Sequence, residues 1–504
     1  MRCFAPRLEW TRRHCRALIQ DAAYENLLKS RRQVLHRRVA EVLLDNVTAP
    51  AEPELLAHHF TQGGMTEAAI EWWGKAGQRS LERSALAEAV QQFTRGLELI
   101  ATLPTTPALR RLQMNLQLAL ITPLVHVKGY TAPETKEAVE RARLLLEQTE
   151  ALGEVPEDPW QLFTLLYGFF VANFVEGNGN ACPELAGQFL ALAEKKRASG
   201  PMVIGHNFVG ASLMLTGNVA EAREHLDQGN ALYDPAEHRA MATRFGEDQR
   251  VANRWLRSRT LWLLGYPQAA SADVDQMFKD ARENGLATSR FFALWAALFL
   301  DISCGSYAAA DARVDELIAL ANEKNAQAWS TWGTLERGHL FALTGDASGA
   351  VHRLASSIAA CRSMGSLVYL PVYLSALAKA HAELAQLDEA CGYMREAMTL
   401  IETRRIRWCE ADVNRVAGEI ALKSPTPDLA KAEQYFERAL AIACQQQAKS
   451  WELRAAMSMA RLWRSQGKVQ QARELLAPVY GWFAEGFDTC DLKEAKALLE
   501  GLQS

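Results

Sequence analysis

A six-residue turn, opened by glycine and closed by alanine, returns along most of this chain and constrains its fold more than any other feature. It appears as Gly217–Ala222, Gly265–Ala270, Gly305–Ala310, Gly345–Ala350 and Gly467–Ala472. The closing alanines at 270, 310, 350, 390, 432 and 472 are spaced by about 40 residues, with one step of 42. Ala385 stands in the glycine's place before Ala390. Before Ala432 the turn is Ser424-Pro425-Thr426-Pro427, which accounts for the longer step. A fixed period in this range marks a stack of identical supersecondary units, none of which can bury its apolar face alone.

The residues around each turn recur as well. One repeat reads Gly210, Leu213, Gly217, Ala222, Leu226; others read Gly338, Phe341, Gly345, Ala350, Leu354 and Ala460, Trp463, Gly467, Ala472, Leu476. A weaker copy reads Ala378, His381, Ala385, Ala390, Met394. The physical logic is a helical hairpin. The first small residue lets two helices approach, and the large residue three later fills the gap. Glycine caps the first helix in the left-handed region, the alanine admits close packing, and the large residue after it closes the pair. The second helices are amphipathic: Leu429, Ala432, Phe436, Ala439, Leu440 and Ala443 fall on one stripe, opposite Lys431, Glu433, Gln434 and Glu437. The arrangement resembles the tetratricopeptide pattern, lengthened from its usual 34 residues. The expected fold is all-α, a right-handed superhelical solenoid of such hairpins.

Composition agrees. The 504 residues are 49% apolar and 23% charged, as in folded proteins, and too many for one ordinary core. A net charge of -4 supplies no basic field for nucleic acid, although residues 1–48 carry ten Lys/Arg against five Asp/Glu. Nine scattered cysteines form no C-x-x-C pair, which points to a reducing, cytoplasmic setting without structural zinc. No apolar run approaches a membrane span, and no apolar stretch follows the first arginines as in a secretion signal.

Before Ala222 the period is irregular. Residues 16–45 read as one or two helices, followed by 54–61, 66–82, 85–101, 107–122, 133–151, 159–175 and 182–197, separated by proline or glycine. Three regions are expected: a basic helical segment at 1–50, irregular hairpins at 51–200, and regular repeats at 201–504.

No catalytic motif stands out. The nearest approach to a phosphate loop, Gly418-Glu419-Ile420-Ala421-Leu422-Lys423-Ser424, lacks the second glycine whose backbone would wrap the phosphates. Paired strand-borne aspartates for metal ions are absent, and so is a helix-turn-helix. His58 and His59 point about 100° apart on a helix, and no third ligand for a metal is evident in the sequence. No cofactor is expected.

The run Ala17-Leu18-Ile19-Gln20-Asp21-Ala22-Ala23-Tyr24, with Leu27-Leu28, Arg31-Arg32 and Leu35-His36, resembles the end of the ATPase segment in a bacterial family. That family joins a class III adenylate/guanylate cyclase domain, a signal-transducing P-loop ATPase and a long tetratricopeptide arm. The resemblance continues through Glu54–His59, Ala76–Arg79, Gly96–Leu99, Lys128–Tyr130, Glu485–Thr489 and Asp491–Ala495. It implies a non-catalytic regulatory arm, with any cyclase or ATPase label inherited from the parent architecture. A related expectation is the regulatory arm of a transcription activator. The family's cyclase and ATPase domains would precede residue 17, and residues 1–16 do not resemble its winged helix. A truncated frame or a mis-assigned start is therefore expected.

In such superhelices the first helix of each hairpin lines the concave groove. The repeat frame places Trp255, Arg259, Trp262, Trp332, His339, Lys379, Arg454, Arg461 and Arg464 there, with Trp295 and Phe299 in line. Aromatics interleaved with Arg and Lys suit an extended peptide bearing acidic groups or a C-terminal carboxylate. The competing reading of each is packing or a solvated face. A protein or peptide partner is expected; the pattern is silent on small-molecule ligands.

Overall fold

The computed structural model describes residues 24, 26–45, 51–153, 158, 160–424 and 426–502. Among them every regular element is helical. In chain order these are α1 (Lys29–Asp45), α2 (Pro53–Gln62), α3 (Thr66–Glu82), α4 (Leu86–Ile100), α5 (Pro107–Lys128), α6 (Pro133–Ala151), α7 (Gln161–Val175) and α8 (Cys182–Lys196). There follow α9 (Ser199–Thr216), α10 (Val219–Leu232), the short α11 (Pro235–His238) and α12 (Met241–Phe245), α13 (Gln249–Leu263), α14 (Pro267–Asn284), α15 (Ala287–Ser303) and α16 (Tyr307–Glu323). The chain closes with α17 (Gln327–Thr344), α18 (Ala347–Ser363), α19 (Leu370–Glu383), α20 (Leu387–Arg404), α21 (Glu410–Ala421), α22 (Leu429–Gln445), α23 (Lys449–Ser465), α24 (Val469–Gly481) and α25 (Cys490–Glu500).

The expected helices therefore appear within a residue or two, with one difference. The helix expected to end at 122 runs on through Pro123 to Lys128 as α5. Proline removes one backbone donor, but Leu124 and His126 beyond it are buried, and their packing carries the helix on. Residues 17–23, where the resemblance to an ATPase segment begins, lie outside the described residues.

Two compact units divide the chain: residues 1–81 with 88–120, and residues 82–87 with 121–504. In the first, Leu56, Ala57, Phe60, Ala69, Trp73 and Ala76 pack with Ala40 into a small core. Gly77 faces Phe93 so closely that a Cβ there would lie 2.4 Å from the ring. His36 joins His58 and His59 here, its Nδ1 2.8 Å from that of His59, and burial lowers the pKa of both. Among the described residues no three groups are placed to hold a metal ion.

The second unit is built as the repeat requires. Ala222, Ala270, Ala310, Ala350, Ala390, Ala432 and Ala472 are all 0% exposed. The residues four later, Leu226, Val274, Val314, Leu354, Met394, Phe436 and Leu476, are buried with them. A Cβ on Gly210 would meet Leu226 at 2.6 Å, which is the close helix approach the small residue permits. Gly418 permits a similar approach, since a Cβ there would lie 2.5 Å from Phe436. The phosphate-loop-like string is thus hairpin packing. One apolar core runs from Phe163 in α7 to Trp451 in α23.

The turn glycines adopt the left-handed conformation, with φ of +90° at Gly217 and Gly265, +81° at Gly305, +96° at Gly345 and +78° at Gly467. Three of them have a second reason to lack a side chain. A Cβ on Gly217 would lie 2.8 Å from Gln446, one on Gly265 2.6 Å from Trp482, and one on Gly305 2.5 Å from Cys490. Each of these neighbours comes from a turn roughly 200 residues further along. The superhelix is tight enough that successive coils touch, and the glycines lie at the seam. Backbone bonds join the coils there: Arg407 donates to the Leu215 carbonyl at 2.8 Å, and Cys490 to that of Cys304 at 3.2 Å. Gly345 and Gly467 have nothing within 4 Å of the added Cβ, so only the turn conformation demands glycine there.

Candidate peptide-binding groove

The first helices of six consecutive hairpins, α13, α15, α17, α19, α21 and α23, converge on one cavity of about 390 Å³, closed on one side by the start of α25. Of the residues singled out from sequence, Arg259, His339, Lys379, Arg454 and Arg461 line it. Trp255 and Trp332 are buried and line a smaller apolar cavity together with Trp295 and Tyr369. Trp262 lines neither cavity; it is 3% exposed and lies beneath the Arg454 guanidinium, 5.1 Å from the ring centroid. Arg464 is exposed and away from the cavity lining.

An aromatic ladder forms the floor. Trp255 stacks on Trp295 at 5.4 Å, and Trp295 on Trp332 at 5.1 Å. Tyr369 meets Trp295 edge-on at 4.9 Å and Trp408 at 5.7 Å. Trp451 donates its indole N–H to the Trp408 carbonyl at 3.1 Å. These rings occupy one position of the repeat: 255, 295, 332, 369, 408 and 451 follow the same beat of about 40. The last three escape the sequence pattern because they lie just before or at the start of their helices, ahead of the stretch that the repeat frame covers.

The polar rim is mostly self-paired. Arg454 bonds Asp491 at 2.7 Å and the Ser303 carbonyl at 2.8 Å. Arg415 bridges Asp412 at 2.7 Å and Glu419 at 2.5 Å, and Lys379 approaches Glu419 at 3.6 Å. Arg461 reaches Glu494 at 2.8 Å. Tyr373 donates to Glu336 at 2.7 Å, with His339 at 3.6 Å from the other carboxylate oxygen. Burial pushes the Asp412 carboxyl up, but the Arg415 guanidinium outweighs it and holds the group below its usual range. Burial and then the Glu336 charge raise the Tyr373 phenol well above its ordinary value.

Arg259 is the exception. It is 3% exposed, and its Nε and Nη1 are buried with no hydrogen-bond partner. Rings surround its guanidinium carbon: Phe299 at 4.2 Å, Tyr369 at 4.5 Å, Trp408 at 5.5 Å, Trp295 at 5.6 Å and Trp255 at 5.7 Å. The Tyr369 hydroxyl is also buried without a partner, and burial pushes it up to about 12.

Among solved structures, a Rap protein complexed with competence and sporulation factor is similar to this chain, with a TM-score of 0.52 at 13% identity, covering 76% of this chain and 99% of that one. The fold is a tetratricopeptide-like solenoid. The APC/C hetero-tetramer Cut9–Hcn1 aligns over 94% of each chain at 12% identity, with a TM-score of 0.48, and the fold likeness rests on the Rap protein. No known protein-family profile matches the chain. An uncharacterised protein of Rhizobium meliloti (strain 1021) is 24% identical over 421 residues. The match takes in 80% of this chain and 39% of that protein, so the chain spans less than half its relative's length.

Proposed function

We propose that this chain is a non-catalytic docking arm whose concave groove takes an extended peptide segment of a protein partner. The supporting observation is the convergence of six first helices on one cavity with an aromatic floor and a charged rim. Cavities of a few hundred Å³ are the usual size of ligand sites, and aromatic and arginine side chains are the usual anchors at protein contacts. The Rap protein of like fold was crystallised with competence and sporulation factor, which is in keeping with a groove that accepts a ligand. Acidic groups on the partner suit the lysine and arginines of the rim.

In this reading the arm works in the cytoplasm and regulates a nucleotide-driven signalling ATPase or cyclase of a longer architecture. The match to only part of a longer relative accords with that. None of the described helices is long and apolar enough to cross a membrane.

The test is calorimetric titration of the purified chain with a pool of random pentapeptides, repeated with Ala376→Trp. Ala376 lines the cavity on α19 and a tryptophan would fill it. Binding by the parent chain and a loss of about tenfold or more in the variant, at an unchanged melting temperature, are expected. Equal binding by both would place the peptide elsewhere. The same chain should bind no ATP; saturable ATP binding would favour the enzyme reading.

A further inference from the structure

Buried donors without acceptors are costly, and each calls for a physical reason. In this chain they gather in one place. Nε and Nη1 of Arg259, the Tyr369 hydroxyl, and the indole nitrogens of Trp255 and Trp295 are all buried and unpaired. All five can donate, and an arginine can only donate. The other four cations of the cavity, Lys379, Arg415, Arg454 and Arg461, each have a carboxylate from a neighbouring helix. Among the described residues Arg259 has none, although Glu336 lies in the same cavity, because Glu336 is held by Tyr373 and His339.

We propose that Arg259 and Tyr369 form a receptor for a single carboxylate, the C-terminal carboxylate of the peptide that docks in the groove. This rests on the groove reading above and sharpens it: the partner is recognised by one buried negative charge rather than by a run of acidic residues. An acidic run would have to compete with the ion pairs already made on the rim. A carboxylate on Arg259 displaces no protein group, and it arrives where aromatic walls exclude water and strengthen the charge–charge contact.

The chemistry of the floor favours a chain terminus over an internal Asp or Glu. The unfilled groups there are donors, so an internal residue would bring backbone N–H groups of the following residues into a region short of free acceptors. A C-terminal residue ends the chain at the arginine and presents two acceptor oxygens. The rings around Arg259 also form an apolar socket for the last side chain.

The cluster of tryptophans near Arg259 provides the readout, through their emission. Three probes are titrated: a random pentapeptide pool with free carboxyl ends, the same pool amidated, and an amidated pool with aspartate fixed at the third position. The free-acid pool is expected to bind at least about tenfold more tightly than the amidated one. Arg259→Met should abolish the difference, Arg259→Lys should retain part of it, and Tyr369→Phe should weaken the free-acid pool several-fold while keeping the ring. Melting temperatures confirm that the variants fold, and Arg259→Lys and Tyr369→Phe carry the test if Arg259→Met does not.

Equal binding of acid and amide, unaffected at Arg259, would overturn the receptor while leaving the groove reading intact. Tight binding of the aspartate pool, lost in the Arg259 variants, would overturn the assignment to the chain terminus. No binding by any pool would overturn both readings.

Discussion

The guanidinium carbon of Arg259 stands 4.2 Å from the centroid of Phe299, a full positive charge held against an aromatic face in the interior of the solenoid. Cation–π contacts return roughly 0.5–2 kcal/mol, whereas burying a charge without a partner costs several kcal/mol after relaxation. The empty protein therefore carries a net penalty at this residue. Arg259→Met keeps much of the volume and removes the charge. It should raise stability by ~1 kcal/mol, read as a higher urea midpoint. A clear fall would mean that the arginine is a structural element of the aromatic floor.

The seam between coils makes a second prediction. Gly305→Ala and Gly345→Ala both put a side chain in the left-handed region, at a cost of about 1–2 kcal/mol each. Only at residue 305 does the new methyl meet another coil, at Cys490. Gly305→Ala should therefore be the more destabilising by a further ~1–3 kcal/mol. Chemical denaturation of the two variants side by side measures the difference, and equal losses would contradict the contact between coils.

Ala385 offers the converse. It takes the turn position with φ of +59°, where its sister repeats have glycine. Ala385→Gly relieves the left-handed strain and gives back part of the gain as chain entropy. A rise in stability of about 0.5–1 kcal/mol is expected from thermal melts.

Two buried groups give the stability a pH dependence with opposing signs. His126 accepts a hydrogen bond from the Trp329 indole at 3.3 Å, and burial lowers its pKa to about 4 from an ordinary 6.5. The unfolded chain takes up that proton first, so this stability is full above pH 6.5 and is lost as pH falls towards 4. Glu247 has one carboxylate oxygen accepting from Tyr167 and the other buried without a partner, and burial raises its pKa to about 7 from an ordinary 4.5. Its contribution is full below pH 4.5 and is lost as pH rises towards 7. Each has a limiting size of ~3 kcal/mol, and between pH 4.5 and 6.5 they offset one another. Glu247→Gln removes the second, so the variant should gain up to ~3 kcal/mol at about pH 8 and show a stability that falls steadily below pH 6.5. Denaturant midpoints across this range measure it; parallel curves for parent and variant would refute it.

Much of the fold was legible because the repeat carries its own packing rules. The alanines at 222, 270, 310, 350, 390, 432 and 472 are buried as the hairpin logic requires, and the groove is lined by first helices. The electrostatics of the site were less legible. Arg454 and Arg461 look free in the sequence, yet Asp491 and Glu494 on the next hairpin neutralise them. Conversely, nothing local shows that Arg259 has no partner. The contact of Gly305 with Cys490 lay beyond reach, because the pitch of a solenoid is the sum of small rotations at every hairpin. Trp262 and Arg464 share the helix faces projected into the groove, but one is sealed beneath Arg454 and the other stays at the exposed end of α23. A helical projection gives direction without depth.

The most direct test of the docking groove is to map where a peptide lies. A random pentapeptide pool with a benzophenone side chain at its second position would be photo-crosslinked to the purified chain and the labelled residues identified by mass spectrometry. Labels on Tyr373, Ala376 and Met457, all in the cavity lining, and their loss when an excess of unlabelled pool is added, are the predicted result. Labels confined to second helices such as α18, α20 and α22, or no competable label at all, would contradict the account.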